Sequence, residues 1–285
     1  MSKSIMVLGT ASGVGKSTVA LGLCRILREA GYKVAPFKAQ NISDNAHHCA
    51  DGREMARSQA LQAYACGLEP EPDMNPILLK MGPGGTQIFL GGVSAGNVGE
   101  TDYGEIKKHA EKYVLEPYRR LEKKADIIVL EGAGSPVEMN LKAEEIVNMR
   151  TAVLTDSPVV LVADISAGGA YASVYGTLML LSPEERARVK GVIINKISGH
   201  PESFEDIRVT MEKITNVPVL GFLPYTQLAI EDEDGLIDAH TGPKGPQSAQ
   251  DMEREFSRLA DIMRRNLNMS EIMRIINKVE KEREE

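Results

Sequence analysis

GTASGVGKST, residues 9–18, follows the apolar run Ile5-Met6-Val7-Leu8, and its reading decides the rest of the chain. Gly9, Gly13 and Gly15 let a backbone turn tightly enough to aim several N–H groups at one point. A lysine and two hydroxyls then open the next helix. That pattern is a phosphate cradle, and the helix N-terminus adds its partial positive charge. Thr10, Ser12, Gly13, Val14, Gly15 and Thr18 would line it. Lys16 can reach the outer phosphates of a nucleotide, and Ser17 can ligate the magnesium that accompanies them. The strict spacing puts the first glycine at position 10, where this chain has Thr10, so the loop is a variant. The competing reading is a glycine-rich strand-to-helix turn that binds nothing.

The 285 residues can bury one large α/β core or two small ones, and 42% hydrophobic with 26% charged residues is the balance of an ordinary soluble protein. A net charge of −7 argues against a general nucleic-acid binder, and no apolar run of eighteen residues is available to span a bilayer. The first strand begins almost at once, so no secretory leader is expected before it. Three cysteines, Cys24, Cys49 and Cys66, lack metal-ligand spacing, so the cytoplasm is the expected compartment.

Strands and helices alternate outward from the loop, predicting a doubly wound, mostly parallel sheet with helices on both faces. Val19, Leu23, Ile26 and Leu27 share one helix face, and residues 33–37 form the next strand. In such sheets ligands gather beyond the carboxyl ends of the strands, so Lys38 should face the P-loop's crevice unless it is simply a surface lysine. Residues 51–66 look helical, with Gln59 in a weak apolar face. Residues 91–104 carry five glycines and read as loop. Asp102 and Glu105 have capping-box spacing before a helix to about 124, which Pro117 should bend. The buried-type strand 126–130 ends in Glu131-Gly132-Ala133-Gly134, and strand 158–163 ends in Asp164. Either acid can serve the magnesium, and they compete for one role on sequence alone. Strand 191–196 carries Asn195, whose amide can read a purine edge or merely cap. Helix 202–215 and strand 217–222 complete the alternation, ending in Leu223-Pro224-Tyr225. Residues 226–250 read as a linker or mobile loop after a 1–225 domain. A helical tail, 251–285, follows, with Ser270 capping its second helix.

Together GTASGVGKST, PFKAQN (36–41), DGREMARSQALQA (51–63), MNPILLK (74–80), EGAGSPVEMNL (131–141) and VADISAGGAY (162–171) resemble the synthetase domain of the cobyric acid synthase family, related to dethiobiotin synthetase. The resemblance implies amidation of a side-chain carboxylate of a corrinoid or tetrapyrrole-like substrate, through an acyl phosphate made from ATP with Mg2+. It implies that Lys16 and Ser17 hold phosphate and metal and that Glu131 binds the metal. Lys38 would bridge substrate carboxylate and γ-phosphate, Asn195 with Pro224 would meet adenine, and Glu54 or Asp44 would add a metal contact. It also implies a homodimer. Full-length members continue into a glutaminase domain with a nucleophilic Cys. The 60 residues after Tyr225 hold no cysteine and only His240, so the ammonia is expected from solution or from a separate glutaminase subunit. The alternatives are a related ligase acting on a different carboxylate substrate and, from another class, a P-loop ATPase switch or assembly factor. Partition-type ATPases carry a second lysine at the loop's start, and Thr10 stands there instead.

Overall fold

A computed structural model describes residues 2–82, 84–99, 106, 109–138, 145–229 and 248–284. The chain begins with β1 (Lys3–Gly9), α1 (Lys16–Glu29) and β2 (Val34–Phe37). It continues through β3 (Gln40–Ser43), β4 (Ala46–His48), β5 (Glu54–Ala56), α2 (Arg57–Cys66), β6 (Ile77–Gly82), β7 (Gly85–Leu90), β8 (Val93–Asn97) and α3 (Ala110–Glu122). The alternation resumes with β9 (Ile127–Glu131), α4 (Met149–Leu154), β10 (Val159–Asp164), α5 (Ala170–Leu180), α6 (Pro183–Arg188), β11 (Val189–Ile197), α7 (Glu205–Thr215) and β12 (Val219–Pro224). Helices α8 (Ala249–Asn266) and α9 (Met269–Glu284) follow.

Among the described residues six strands form one sheet in the order β12-β11-β10-β1-β9-β2, every pair parallel. Strand β1 is its centre, which is why its residues are apolar on both faces. Met6 and Leu8 point into one core with α3, α4, α5 and α7, while Ile5 and Val7 point into the other with α1, α8 and α9. The sheet is therefore doubly wound, as the alternation predicts. Parallel strands all finish at one edge, so Gly9, Phe37, Glu131, Asp164 and Pro224 come to the same side. Helix α8 buries Phe256, Leu259, Ala260 and Met263 against the P-loop helix. A Cβ on Gly22 of α1 would lie 2.0 Å from Met263 Sδ, so the two helices meet this closely because that position has no side chain.

Several expectations are corrected. The helix expected at 51–66 begins only at Arg57, because Glu54–Ala56 pairs with β4 as an antiparallel ribbon and the Ala56 N–H donates to Asn75 Oδ1 at 3.0 Å. The expected loop at 91–104 contains β8, which turns back from β7 at Gly91 and Gly92, both at positive φ. Its exposed Val93 and Ser94 give no alternation from which a strand could be read. Strands β3, β6, β7 and β8 make a separate four-stranded sheet. Asp102, Glu105, residues 139–141 of the EGAGSPVEMNL string and most of 226–250, His240 included, lie outside the described residues. Pro117 sits inside α3. The last helix is capped by Asn268, whose Oδ1 accepts from the Glu271 N–H at 3.1 Å, rather than by Ser270.

Candidate active site

The loop after β1 leaves the sheet with the Thr10 N–H still bonded to Val162 O at 2.9 Å, and α1 starts with the Val19 N–H on Gly15 O. Between them Gly13 and Gly15 take φ of 69° and 97°. Gly15 is required twice, since a Cβ there would stand 2.1 Å from Asn195 Nδ2. That amide donates to Val14 O at 2.9 Å, and Lys196 Nζ donates to Gly13 O at 2.7 Å. The end of β11 thus braces the loop from behind. Lys16, buried, donates to Ala11 O at 2.9 Å and Gly134 O at 3.1 Å, which ties the loop to the chain leaving β9. Thr10, Ser17 and Thr18 are half-buried and Ser12 is exposed at the mouth.

The centre of the site is Glu131, 1% exposed. Its Oε1 accepts from Ser17 Oγ at 2.8 Å and from Lys38 Nζ at 3.0 Å. Its Oε2 accepts from Gln62 Nε2 at 2.6 Å and, at 3.5 Å, from Gln59 Nε2. Lys38, itself 4% exposed, is steered there by its backbone: its N–H is bonded to Met74 O and its carbonyl accepts from Asn75 Nδ2 at 3.1 Å. On the other side Asn148 donates to Ala133 O (2.8 Å) and Ser135 O (3.3 Å) and accepts from the Ala133 N–H (2.9 Å), fixing the glycine-rich exit of β9.

The two acids that compete in the sequence are separated by these contacts. Asp164 is held by Lys196 at 2.7 Å and by the N–H and hydroxyl of Ser166, whereas Glu131 holds the P-loop serine. Burial pushes the Asp164 carboxyl up, but the hydrogen bonds from Lys196 and Ser166 outweigh it and its pKa lies below the usual value. Glu54 is not brought to Ser17 or Glu131; it pairs with Lys80 at 2.6 Å and faces His48 at 3.9 Å, on the second sheet's side of the fold. Asp44 is exposed. Pro224 ends β12, two strands beyond Asp164's. Among the described residues no three His, Cys, Asp or Glu side chains are grouped to hold a metal. The donors that do suit a magnesium ion are hard oxygens, Ser17 Oγ and the Glu131 carboxylate at 2.8 Å, with room in its coordination for phosphate and water. Sequence reasoning missed Gln62, Asn148 and the polar role of Gln59. The signal for the glutamines was their i, i+3 spacing, which puts both amides on one side of α2.

A parallel sheet with a glycine-rich phosphate loop at its centre and an acid at the next strand's tip defines a P-loop nucleotide-binding protein. The model of the CobQ/CobB/MinD/ParA nucleotide binding domain matches residues 5–237, and the chain belongs to that family. It is 49% identical over 235 residues to a cobyric acid synthase of Clostridium botulinum (strain Loch Maree / Type A3), covering 82% of this chain and 48% of that protein. It is 47% identical over 243 residues to the cobyric acid synthase of Clostridium kluyveri (strain ATCC 8527), covering 85% and 49%. The chain therefore spans about half the length of the curated relatives it matches. Among solved structures it is similar to the signal recognition particle receptor FtsY of Elizabethkingia anophelis, 17% identical at a TM-score of 0.46, over 90% of this chain and 65% of that one. Among the described residues no helix is long and apolar enough to cross a membrane.

Proposed function

We propose that the chain is an ATP-dependent amidoligase that converts side-chain carboxylates of a corrinoid, or a similar polycarboxylate, to carboxamides in cobalamin biosynthesis. The observation that carries this is the junction of Ser17, Lys38 and Glu131 on one carboxylate oxygen beside the P-loop. It supports a site where a γ-phosphate, its metal and a second anion could be neutralised together. Similarity to cobyric acid synthases supports the substrate class.

A carboxylate is inert to ammonia because its leaving group would be oxide. In the proposed reaction its oxygen attacks the γ-phosphorus, the bond to the bridging oxygen breaks, and ADP departs. Ammonia then adds to the acyl carbon, loses a proton, and expels phosphate. Proximity and charge neutralisation are what the protein supplies. Lys16 and the N–H groups of residues 12–18 would hold the β- and γ-phosphates. Lys38 would turn from Glu131 to the substrate carboxylate and the transferred phosphoryl. Ser17 and Glu131 would hold magnesium, which when bound screens the phosphate charge. Asn195, already bracing Val14, and Pro224 would border the adenine. Ammonia would come from solution or from a separate glutaminase subunit, and the enzyme would work as a cytoplasmic homodimer.

The test is mass spectrometry of candidate corrinoid acids incubated with the chain, ATP, magnesium and ammonium. Mass losses of 1 Da per carboxylate, matched to ADP released, are expected. ADP release without amides, raised by a protein partner, would instead make it an ATPase switch.

A further inference from the structure

We infer that Gln62 is a positioning residue for Glu131, turning the carboxylate so that one oxygen is reserved for Ser17, Lys38 and the metal. This rests on Glu131 being the metal-facing acid of the proposed site. The two oxygens of Glu131 are divided by partner. Oε1 receives the side chains that would handle phosphate and metal, and among the described residues Oε2 receives only amides, Gln62 at 2.6 Å and Gln59 at 3.5 Å.

The amide of Gln62 can point only one way. Reversed, its oxygen would stand against the carboxylate, so the nitrogen must face Glu131. That orientation has a cost visible in the fold. Gln62 is 1% exposed, and its Oε1 meets no donor among the described residues. The unpaired buried acceptor offsets part of what the 2.6 Å bond to Glu131 contributes to stability, and what the bond supplies in addition is a direction for the carboxylate. Gln59 is oriented in turn, its Oε1 accepting from Asn41 at 3.0 Å and from Ser58 at 2.9 Å. Helix α2 therefore presents a prearranged pair of donors to the back of Glu131. Without the Gln62 bond only the 3.5 Å contact from Gln59 holds Oε2, so the rotation of the carboxylate, and with it the direction of the metal-facing oxygen, is less firmly fixed. Groups that orient a metal ligand in this way change metal affinity by about 10- to 100-fold when removed.

The experiment measures binding of a fluorescent ATP analogue to the full chain across magnesium concentrations, with EDTA as the zero point, for the natural chain, Gln62→Met and Gln59→Met. The expected result for Gln62→Met is a half-saturating magnesium concentration raised at least about tenfold, with magnesium-free nucleotide affinity within about twofold. Gln59→Met, which removes the longer bond, should shift it less. A merely structural role would weaken binding equally with and without magnesium. Unchanged magnesium dependence in folded Gln62→Met overturns the inference. If Gln62→Met does not fold, Gln62→Ala is read in the same way. Failure of both to fold means that Gln62 holds the helix, not Glu131, and also overturns it. Absence of any magnesium dependence in the natural chain is a different result, and refutes the metal role of Glu131 itself.

Discussion

Replacing Lys38 by methionine should be the most destabilising single change in the site, and the reason is Glu131. The pair is 3.0 Å apart with side chains 5% and 0% exposed. Removing one member of a buried ion pair costs about 3–5 kcal/mol, because the other charge stays in a medium that solvates it poorly. Ser17, Gln62 and Gln59 still donate to the carboxylate, which places the expected loss at the lower end, about 3 kcal/mol. At roughly 2–4 °C per kcal/mol for a chain of this size, Tm should fall by about 6–12 °C. Adding Glu131→Gln removes the orphaned charge. The double variant should therefore be more stable than Lys38→Met alone, with a coupling of at least about 2 kcal/mol. Urea unfolding of the natural chain, both single variants and the double variant measures this, with an unchanged m-value as the check that the denatured state is comparable. A loss below about 1 kcal/mol for Lys38→Met, or a double variant as unstable as the two single effects summed, would refute the buried-pair argument.

Gly15→Ala places a methyl 2.1 Å from Asn195 Nδ2 on a residue at φ 97°. The left-handed backbone alone costs about 1–2 kcal/mol, so affinity for a fluorescent ATP analogue should fall at least about tenfold, and unchanged affinity would show that the loop does not hold the nucleotide in this shape. Glu29 is pushed up by burial but pulled below its usual value by hydrogen bonds from Arg264, which joins α8 to α1, and from Arg25 within α1. A depressed native pKa gives stability that is present above the unfolded value of 4.5 and is lost as pH falls through the native one. Thermal melts should thus show Glu29→Gln less stable than the natural chain at pH 7 and converging with it toward pH 3, and a gap that persists in acid would refute the linkage.

Most of the main sheet was legible in the sequence because parallel central strands are apolar on both faces and end in residues that cannot serve a core. Runs such as Ile5–Leu8 and 127–130 admit no other environment, and the acids and glycines after them mark one sheet edge. The small sheet was not legible. Strand β8 is an exposed edge, so nothing in Val93–Asn97 repeats with period two, and β5 is three residues long, too short for any period. Within the site, Lys38 and Glu131 stood out because charges at strand tips are conspicuous. Gln62 did not, since a glutamine on a helix normally faces water, and only the packing of α2 behind β9's end turns it inward.

That contrast bears on why the site is built as it is. Four donors surround one buried carboxylate, and apolar side chains of similar volume in place of such an arrangement are often neutral or stabilising. Lys38, Gln59, Gln62 and Glu131 together therefore contribute less to the fold than their number suggests, and the Oε1 of Gln62, which meets no donor among the described residues, makes the balance worse. What the arrangement does achieve is a fixed direction. The β9 tip cannot move along the sheet, because its ladder to β1 runs through Glu131 itself, paired with Val7. Asn148 clamps the turn that follows, and the amides of α2 fix the rotation of the carboxylate. The carboxylate is thus located by backbone, loop and side chain independently, with the P-loop serine on the oxygen left over. Preorganisation of this kind matters where charge must be met at one place by groups that do not have to rearrange when it appears, as phosphoryl transfer requires.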